Sequence, residues 1–211
     1  MASAKLERVE MEKENGFWFD PKRSAILSMD LQTGVVSVYV KEAGFIPRVA
    51  GVLERARAAG LPIIHVKVGF RPDVPEANPR NLFLSTIKAS PRHQEFFQGT
   101  SGAIHPALAP ASGDLVVTKS RVSAFAGTDL DLLLRAQDIE TLIVFGIATS
   151  GVVLATFLAA FDADYRLIVI KDCCADLDLE FHQCLVDKYF PSLAAVVTAG
   201  EFQQALASEA R

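Results

Sequence analysis

The alternation of short apolar runs with helical segments is the feature that most constrains how this chain folds. Six runs have the length and composition of buried strands, and most are followed by residues with apolar side chains at helical spacing. Strands that alternate with helices form βαβ units, whose parallel sheet is covered by helices on both faces. The predicted strands are residues 24–30, 61–68, 114–120, 141–146, 166–172 and 193–199.

The helices carry signals at their ends. Gly60 stops the first predicted helix, and Thr128 is the predicted N-cap of the second, with Asp129 and Asp131 in a first turn that favours negative charge. Residues 71–113 are rich in Pro, Asn, Ser and Gly, which predicts a long excursion with one short helix near 91–97. The helices are predicted at 47–60, 128–138, 151–163, 178–190 and 200–207.

Composition is consistent with one globular unit. Half of the 211 residues are hydrophobic and 22% are charged, so we expect a single α/β domain over residues 21–211 after an N-terminal arm, 1–20. The net charge is −4 and the basic residues are scattered, which argues against nucleic-acid or membrane partners. Three cysteines without a secretory signal favour a reducing, cytoplasmic location.

Polar residues stand where predicted strands end. Asp30 closes the first strand and Gln32 follows it, Lys119 closes the third, and the fourth runs into a turn of small residues, 146–151. In open parallel sheets, ligands bind at the carboxyl ends of the strands. If these strands are neighbours, their polar ends form one site.

Three segments carry a resemblance to a known family. "AILSMDLQTGVV", "VVTKSRVSAFAGTDLDLLLR" and "TLIVFGIATSGVVLATFLAAFDADYRLIVIKDCCAD" resemble the motif blocks of the isochorismatase-like (cysteine hydrolase) superfamily, from about residue 21 to the C-terminus. The resemblance implies a three-layer α/β/α sandwich around a mostly parallel six-stranded sheet. This is the fold that the alternation predicts independently.

The resemblance also implies catalytic positions. Cysteine-dependent members use an Asp, a Lys and a Cys; the first two match Asp30 and Lys119, and the Cys position is Val152 here. Valine cannot form a covalent intermediate.

Isochorismatases resemble this chain in lacking the Cys, typically with Gly there, and they hydrolyse a vinyl ether and release pyruvate. We therefore expect a hydrolase in which Asp30 is the general acid or base and Lys119 tunes it and binds a substrate carboxylate. Val152 is bulkier than Gly, which predicts a narrower pocket.

The turn has further implied roles. The family has a non-proline cis peptide that corresponds to Ile147–Ala148 here, and the Ala148 and Val152 amides would form an oxyanion hole. Phe125 matches an aromatic residue near the pocket. The residues expected to bind substrate are Gln32, Phe125, Ile147, Ala148, Thr149, Ser150 and Gly151.

No cofactor and no metal are expected. Nicotinamidase-like members bind a metal through an Asp/His cluster after the second strand, where this chain offers only His65 and Asp73, with Val68 and Phe70 at positions where ligands would be expected. The implied partners are a small-molecule substrate, a small carboxylate or polar metabolite, and further copies of the chain in a dimer or tetramer.

Two alternatives stay open. The chain could be an amidase that uses a displaced thiol, for which Cys173 after the fifth strand is the candidate, although a buried free Cys is usually a packing residue. It could also be a ligand-binding or scaffold protein without catalytic activity. His182, at a predicted helix start, is interpreted as structural.

Overall fold

A computed structural model describes residues 16–209 and shows a six-stranded sheet. All neighbouring strands are parallel, in the order β3-β2-β1-β4-β5-β6. The predicted α/β class is confirmed, with a fully parallel sheet. The strands are β1 Ser24–Met29, β2 Ile63–Val68, β3 Leu115–Lys119, β4 Thr141–Gly146, β5 Arg166–Ile170 and β6 Ala195–Val197.

Helices cover both faces of this sheet. Every residue of β1 and β4 is buried, although their side chains alternate between the faces, which requires packing on each side. The α-helices are α1 Thr33–Tyr39, α2 Phe45–Ala58, α3 Leu82–Ala89, α4 Pro91–Phe96, α5 Gly99–Gly102, α6 Leu130–Ala136, α7 Leu154–Asp162, α8 Leu179–Cys184 and α9 Ala199–Glu209. None of the helices among the described residues is long and apolar enough to cross a membrane.

Two of the predicted helices differ from the structure in their cap or their continuity. Thr128 stands one residue before the N-cap, Asp129, and α6 begins at Leu130. The Thr128 hydroxyl accepts from the Leu130 amide at 3.3 Å and donates to the Ala124 carbonyl at 2.6 Å. The helix predicted at 178–190 is α8 followed by the π-helical turn Leu185–Tyr189 and a 3₁₀ turn that contains a proline. Proline lacks the N–H that a continuing helix needs.

The prediction missed α1 and two of the helices in the excursion. α1 closely follows β1, and its valines are residues that favour a strand, but packing against α5 makes this segment helical. The excursion contains three α-helices, α3, α4 and α5, rather than one. It has a small core of its own, formed by Val74, Ala77, Leu84 and Ile87.

The predicted arm, 1–20, lies mostly outside the described residues. Within the described part, Phe17 and Phe19 are buried, and the Phe19 ring stacks on Phe202 of α9 at 5.6 Å between centroids. These contacts join the segment before β1 to the helical layer.

The strand order defines where the polar strand ends meet. The chain runs outward from β1 to β3 and then returns to place β4 on the other side of β1. The carboxyl ends of β1 and β4 are therefore adjacent at the point where the direction of strand addition reverses, which is where open α/β sheets bind ligands.

Candidate functional site

Asp30 lies one residue beyond β1, at this reversal point. Its backbone has φ of 54°, and its amide donates to the Val66 carbonyl of β2 at 2.8 Å. A left-handed conformation is uncommon outside Gly, although Asp and Asn adopt it more readily than most residues. The Asp30 side chain is buried, and its Oδ2 lies 2.8 Å from Lys119 Nζ.

Lys119 reaches this carboxylate from two strands away. It is the last residue of β3, and β2 lies between β3 and β1. Its Nζ also donates to the Arg121 carbonyl at 3.1 Å, and only 2% of its side chain is exposed. The two residues that the sequence placed at separate strand ends thus form one buried ion pair.

Burial makes the Asp30 carboxyl group of this pair a weaker acid than an ordinary aspartate. It raises the pKa of Asp30 to about 6, and the neighbouring Lys119 ammonium only partly opposes the shift. The other oxygen, Oδ1, is also buried and has no hydrogen-bond partner among the described residues. The raised pKa brings the ionisation of this group closer to neutral pH, and Oδ1 is the carboxyl oxygen that donors of the described residues leave unbonded.

The turn after β4 packs directly on the end of β1. Gly146 has φ of 150°, and a Cβ there would lie 2.1 Å from the Met29 carbonyl oxygen, so a side chain does not fit. The Ile147 amide donates to the same carbonyl at 3.1 Å. The peptide Ile147–Ala148 is cis, as the resemblance implied. The turn is therefore held beside Asp30.

The polar side chains of the turn bond within the protein. Ser150 donates through both its amide and its hydroxyl to Asp176 Oδ2, each at 2.7 Å. Thr149 Oγ1 lies 2.8 Å from His182 Nδ1. The Ala148 and Val152 amides, in contrast, have no acceptor outside the turn among the described residues.

Sequence reasoning missed the contribution of Asp176 and interpreted His182 as structural without a partner. The available signal was a carboxylate shortly after the fifth strand, at the edge of the sheet where Asp30 lies. Burial lowers the pKa of His182, while the carboxylates of Asp176 and Asp187 act in the opposite direction. The distances between these residues and the turn depend on the fold.

Two predicted substrate-binding residues have other contacts. The Gln32 amide group donates to the Val68 and Gly102 carbonyls at 3.0 and 2.8 Å, and its oxygen accepts from the Val68 amide. Both amide hydrogens are thus occupied in joining β2 to the excursion. The Phe125 ring lies 6.0 Å, between centroids, from the ring of Tyr165, which immediately precedes β5.

Val152 is buried at the end of the turn, and two cysteines follow β5, with Cys174 against the Gly146 backbone at the start of the turn. Cys173 is completely buried, and burial raises its pKa far above the usual range of a thiol. Burial also raises the pKa of Cys174 to about 12, and its Sγ contacts the Ile170 carbonyl at 3.5 Å. Cys184 is exposed on α8. Burial therefore opposes ionisation of both thiols, and the ionised form is the one that nucleophilic attack needs.

His65 belongs to a partly buried network with Asp114 and Arg57. Its Nε2 lies 3.2 Å from Asp114 Oδ2, and the same oxygen pairs with Arg57 at 2.6 Å. Burial lowers the pKa of His65. Across the described residues, no group of three or more His, Cys, Asp or Glu side chains is arranged to hold a metal ion.

Comparison with known proteins identifies the family to which this fold belongs. A family model described as the isochorismatase domain matches residues 24–201. An uncharacterized isochorismatase family protein, YecD of Escherichia coli O157:H7, is 29% identical over 88% of this chain and 97% of its own length. Ureidoacrylate amidohydrolase RutB of Agrobacterium fabrum is 31% identical over 83% of this chain and 88% of its own length.

A solved structure shows the same similarity in three dimensions. An isochorismatase family protein from Burkholderia thailandensis superposes with a TM-score of 0.79 and 30% identity, over 90% of this chain and 97% of that one. The family model covers the whole sheet, both members of the buried ion pair and the turn beside them. The chain belongs to the isochorismatase family of hydrolases.

Proposed function

We propose that this enzyme hydrolyses a small carboxylate or related polar metabolite by proton transfer from Asp30, without a thiol nucleophile. The observation that carries the proposal is the buried Asp30–Lys119 pair at the carboxyl edge of the sheet. With a pKa of about 6, Asp30 is protonated in roughly a tenth of the enzyme molecules at pH 7, so both the acid and the carboxylate form are available. Val152 occupies the position that a nucleophilic Cys would have.

Hydrolysis of a vinyl ether fits these groups. Protonated Asp30 gives its proton to the terminal carbon of the vinyl ether, which produces an oxocarbenium ion. Water adds to that ion and returns a proton to the Asp30 carboxylate. The resulting hemiketal then breaks to pyruvate and an alcohol, so the carboxyl group is regenerated and no covalent bond to the enzyme forms.

Lys119 and the turn have supporting roles in this proposal. The Lys119 ammonium limits the rise in the Asp30 pKa and attracts a substrate carboxylate. The Ala148 and Val152 amides, which have no acceptor outside the turn, donate to the leaving oxygen, on which negative charge develops as the hemiketal breaks to pyruvate and the alcohol. Thr149 and Ser150 contribute through their backbone, because their side-chain oxygens bond to His182 and Asp176.

Amide hydrolysis is the second candidate, because a relative is named for it. It would require a nucleophile other than Val152. The burial of Cys173 and the raised pKa of its thiol weigh against the displaced-thiol route. A ligand-binding protein without turnover is the remaining alternative. A cytoplasmic location and a dimeric or tetrameric assembly are also part of the proposal.

The test measures pyruvate release from isochorismate by the wild-type enzyme and by Asp30→Asn. Asp138→Asn is the matched control, since Asp138 also has a left-handed backbone, with φ of 52°, but is exposed. We expect wild-type turnover, a loss of at least 100-fold in Asp30→Asn, and no loss in the control. Equal turnover by wild type and Asp30→Asn would rule out the proton-transfer role.

A parallel assay follows amide cleavage of ureidoacrylate before and after thiol alkylation. Amide turnover that disappears on alkylation would support the thiol route and overturn the proposed one. Binding of either compound without turnover, measured by calorimetry, would favour the non-catalytic alternative.

A further inference from the structure

We infer that the segment 175–182, after β5, holds the turn 147–153 in position for catalysis, with Asp176 as the principal positioning residue. The inference rests on the proposed function, in which the amides of that turn contact the substrate. It assigns a role to two side chains, Asp176 and His182, that do not belong to the Asp30–Lys119 pair.

The helical segment that begins at Thr149 has no cap of its own. Its N-cap residue is Ala148, whose methyl group cannot accept a hydrogen bond, so the first amides need acceptors from elsewhere. Asp176 Oδ2 supplies one, because it accepts from the Ser150 amide and the Ser150 hydroxyl, each at 2.7 Å. A carboxylate from 26 residues further along the chain thus replaces the missing N-cap side chain.

The environment of Asp176 strengthens this contact. The residue is only 8% exposed, so little water competes for its oxygens, and a negative charge is favourable at a helix N-terminus. Its second oxygen accepts from the Asp178 amide at 3.3 Å, which fixes the carboxylate within its own segment. The acceptor for the turn is therefore itself held in place.

The same segment binds the turn at neighbouring points. The Ala175 carbonyl accepts from the Thr149 amide at 3.0 Å, and the Ala175 amide donates to the Gly146 carbonyl at 3.3 Å. Thr149 is fully buried, and its hydroxyl contacts His182 Nδ1 at 2.8 Å. Together with the Asp176 contact, they fix Gly146, Thr149 and Ser150. Gly146 and Thr149 lie on the two sides of the Ala148 amide, and Thr149 and Ser150 lie within three positions of the Val152 amide.

This arrangement predicts a particular kinetic effect. Amides that meet charge only as it develops lower the barrier when they are already oriented, and they add little to substrate binding. A turn released from Asp176 would lose that orientation. We therefore expect kcat to fall while KM stays nearly constant, because Asp176 does not touch the substrate.

The test compares Asp176→Ala and Asp176→Asn with the control Glu201→Ala. Glu201 makes the same pair of bonds at another helix start, since its Oε2 accepts from the Thr198 amide at 2.6 Å and the Thr198 hydroxyl at 2.8 Å. The two readouts are the kcat and KM of the turned-over substrate, and hydrogen exchange of the amides in 147–153.

For Asp176→Ala we expect kcat to fall about 10- to 100-fold, KM to change less than threefold, and exchange in 147–153 to become faster. Asp176→Asn keeps an acceptor oxygen and should recover part of both losses. Glu201→Ala should leave both readouts unchanged.

Unchanged exchange in Asp176→Ala would overturn the inference, as would faster exchange with a normal kcat. Absence of wild-type turnover would instead contradict the proposed function, and the exchange result would still decide whether Asp176 holds the turn.

Discussion

Replacing Asp30 by Asn should remove a pH dependence of stability that arises from this one carboxyl group. Burial raises its pKa from 3.8 to about 6 in the folded protein. At about 1.36 kcal/mol per pH unit, this shift corresponds to about 3 kcal/mol in total. Because the folded-state pKa is the higher one, the contribution is fully present below pH 3.8 and is lost as the pH rises through about 6.

The measurable part lies between pH 5 and pH 7. Linkage with these two pKa values gives a loss of roughly 1 kcal/mol over that range. Urea unfolding of wild type and Asp30→Asn at several pH values measures it, as the change with pH in the difference between their free energies of unfolding. The constant offset between the two proteins is not used, since Asp30→Asn also leaves Lys119 without an anionic partner.

Asp138→Asn is again the control, and its curve should run parallel to that of the wild type. If the curves of wild type and Asp30→Asn are also parallel between pH 5 and pH 7, the pKa of Asp30 is not raised. In that case the argument that burial prepares this group for proton transfer fails.

Three further outcomes can be checked. If Asp30 must be protonated to act, kcat/KM for a vinyl ether should fall about tenfold per pH unit above pH 6, and a flat profile would contradict a carboxylic acid catalyst. Gly146→Ala should lower the free energy of unfolding by more than about 3 kcal/mol, because its added Cβ would meet the Met29 carbonyl. Gly127→Ala is the control and should cost about 1 kcal/mol, since Gly127 also has a positive φ, of 74°, but an added Cβ there meets nothing within 4 Å. Equal losses in urea unfolding would show that the close approach at Gly146 does not affect stability. In the native protein, iodoacetamide should modify the exposed Cys184 and spare the buried Cys173, as mapped by mass spectrometry, and rapid labelling of Cys173 would revive the thiol route.

Much of the candidate site was readable at the ends of strands. An apolar run that closes in a carboxylate, another that closes in a lysine, and a third that enters a turn of small residues identify Asp30, Lys119 and 146–151 from local pattern alone. Gln32 shows the limit of that reasoning. Its position next to Asp30 suggested a substrate contact, but its side-chain amide bonds to backbone groups of β2 and the excursion, which only the folded chain brings within reach.

The helices show the same division. α2 and α7 have strong apolar patterns and were predicted, whereas the valine-rich α1 was missed because packing against α5 overrides its local preference. Asp176 carried only a weak signal, since nothing near it in sequence indicates that the N-terminus of a distant helix lacks a cap.

The sequence by itself determined the class of fold, because hydrophobic periodicity and turn residues act over a few neighbouring positions. It also determined which residues stand at the strand ends. Only the tertiary structure decided that β4 returns to the side of β1, that Lys119 reaches Asp30 across β2, and that Asp176 caps the turn. These are contacts between residues far apart in the chain, and the raised pKa of Asp30 follows from them, because desolvation depends on everything packed around the group.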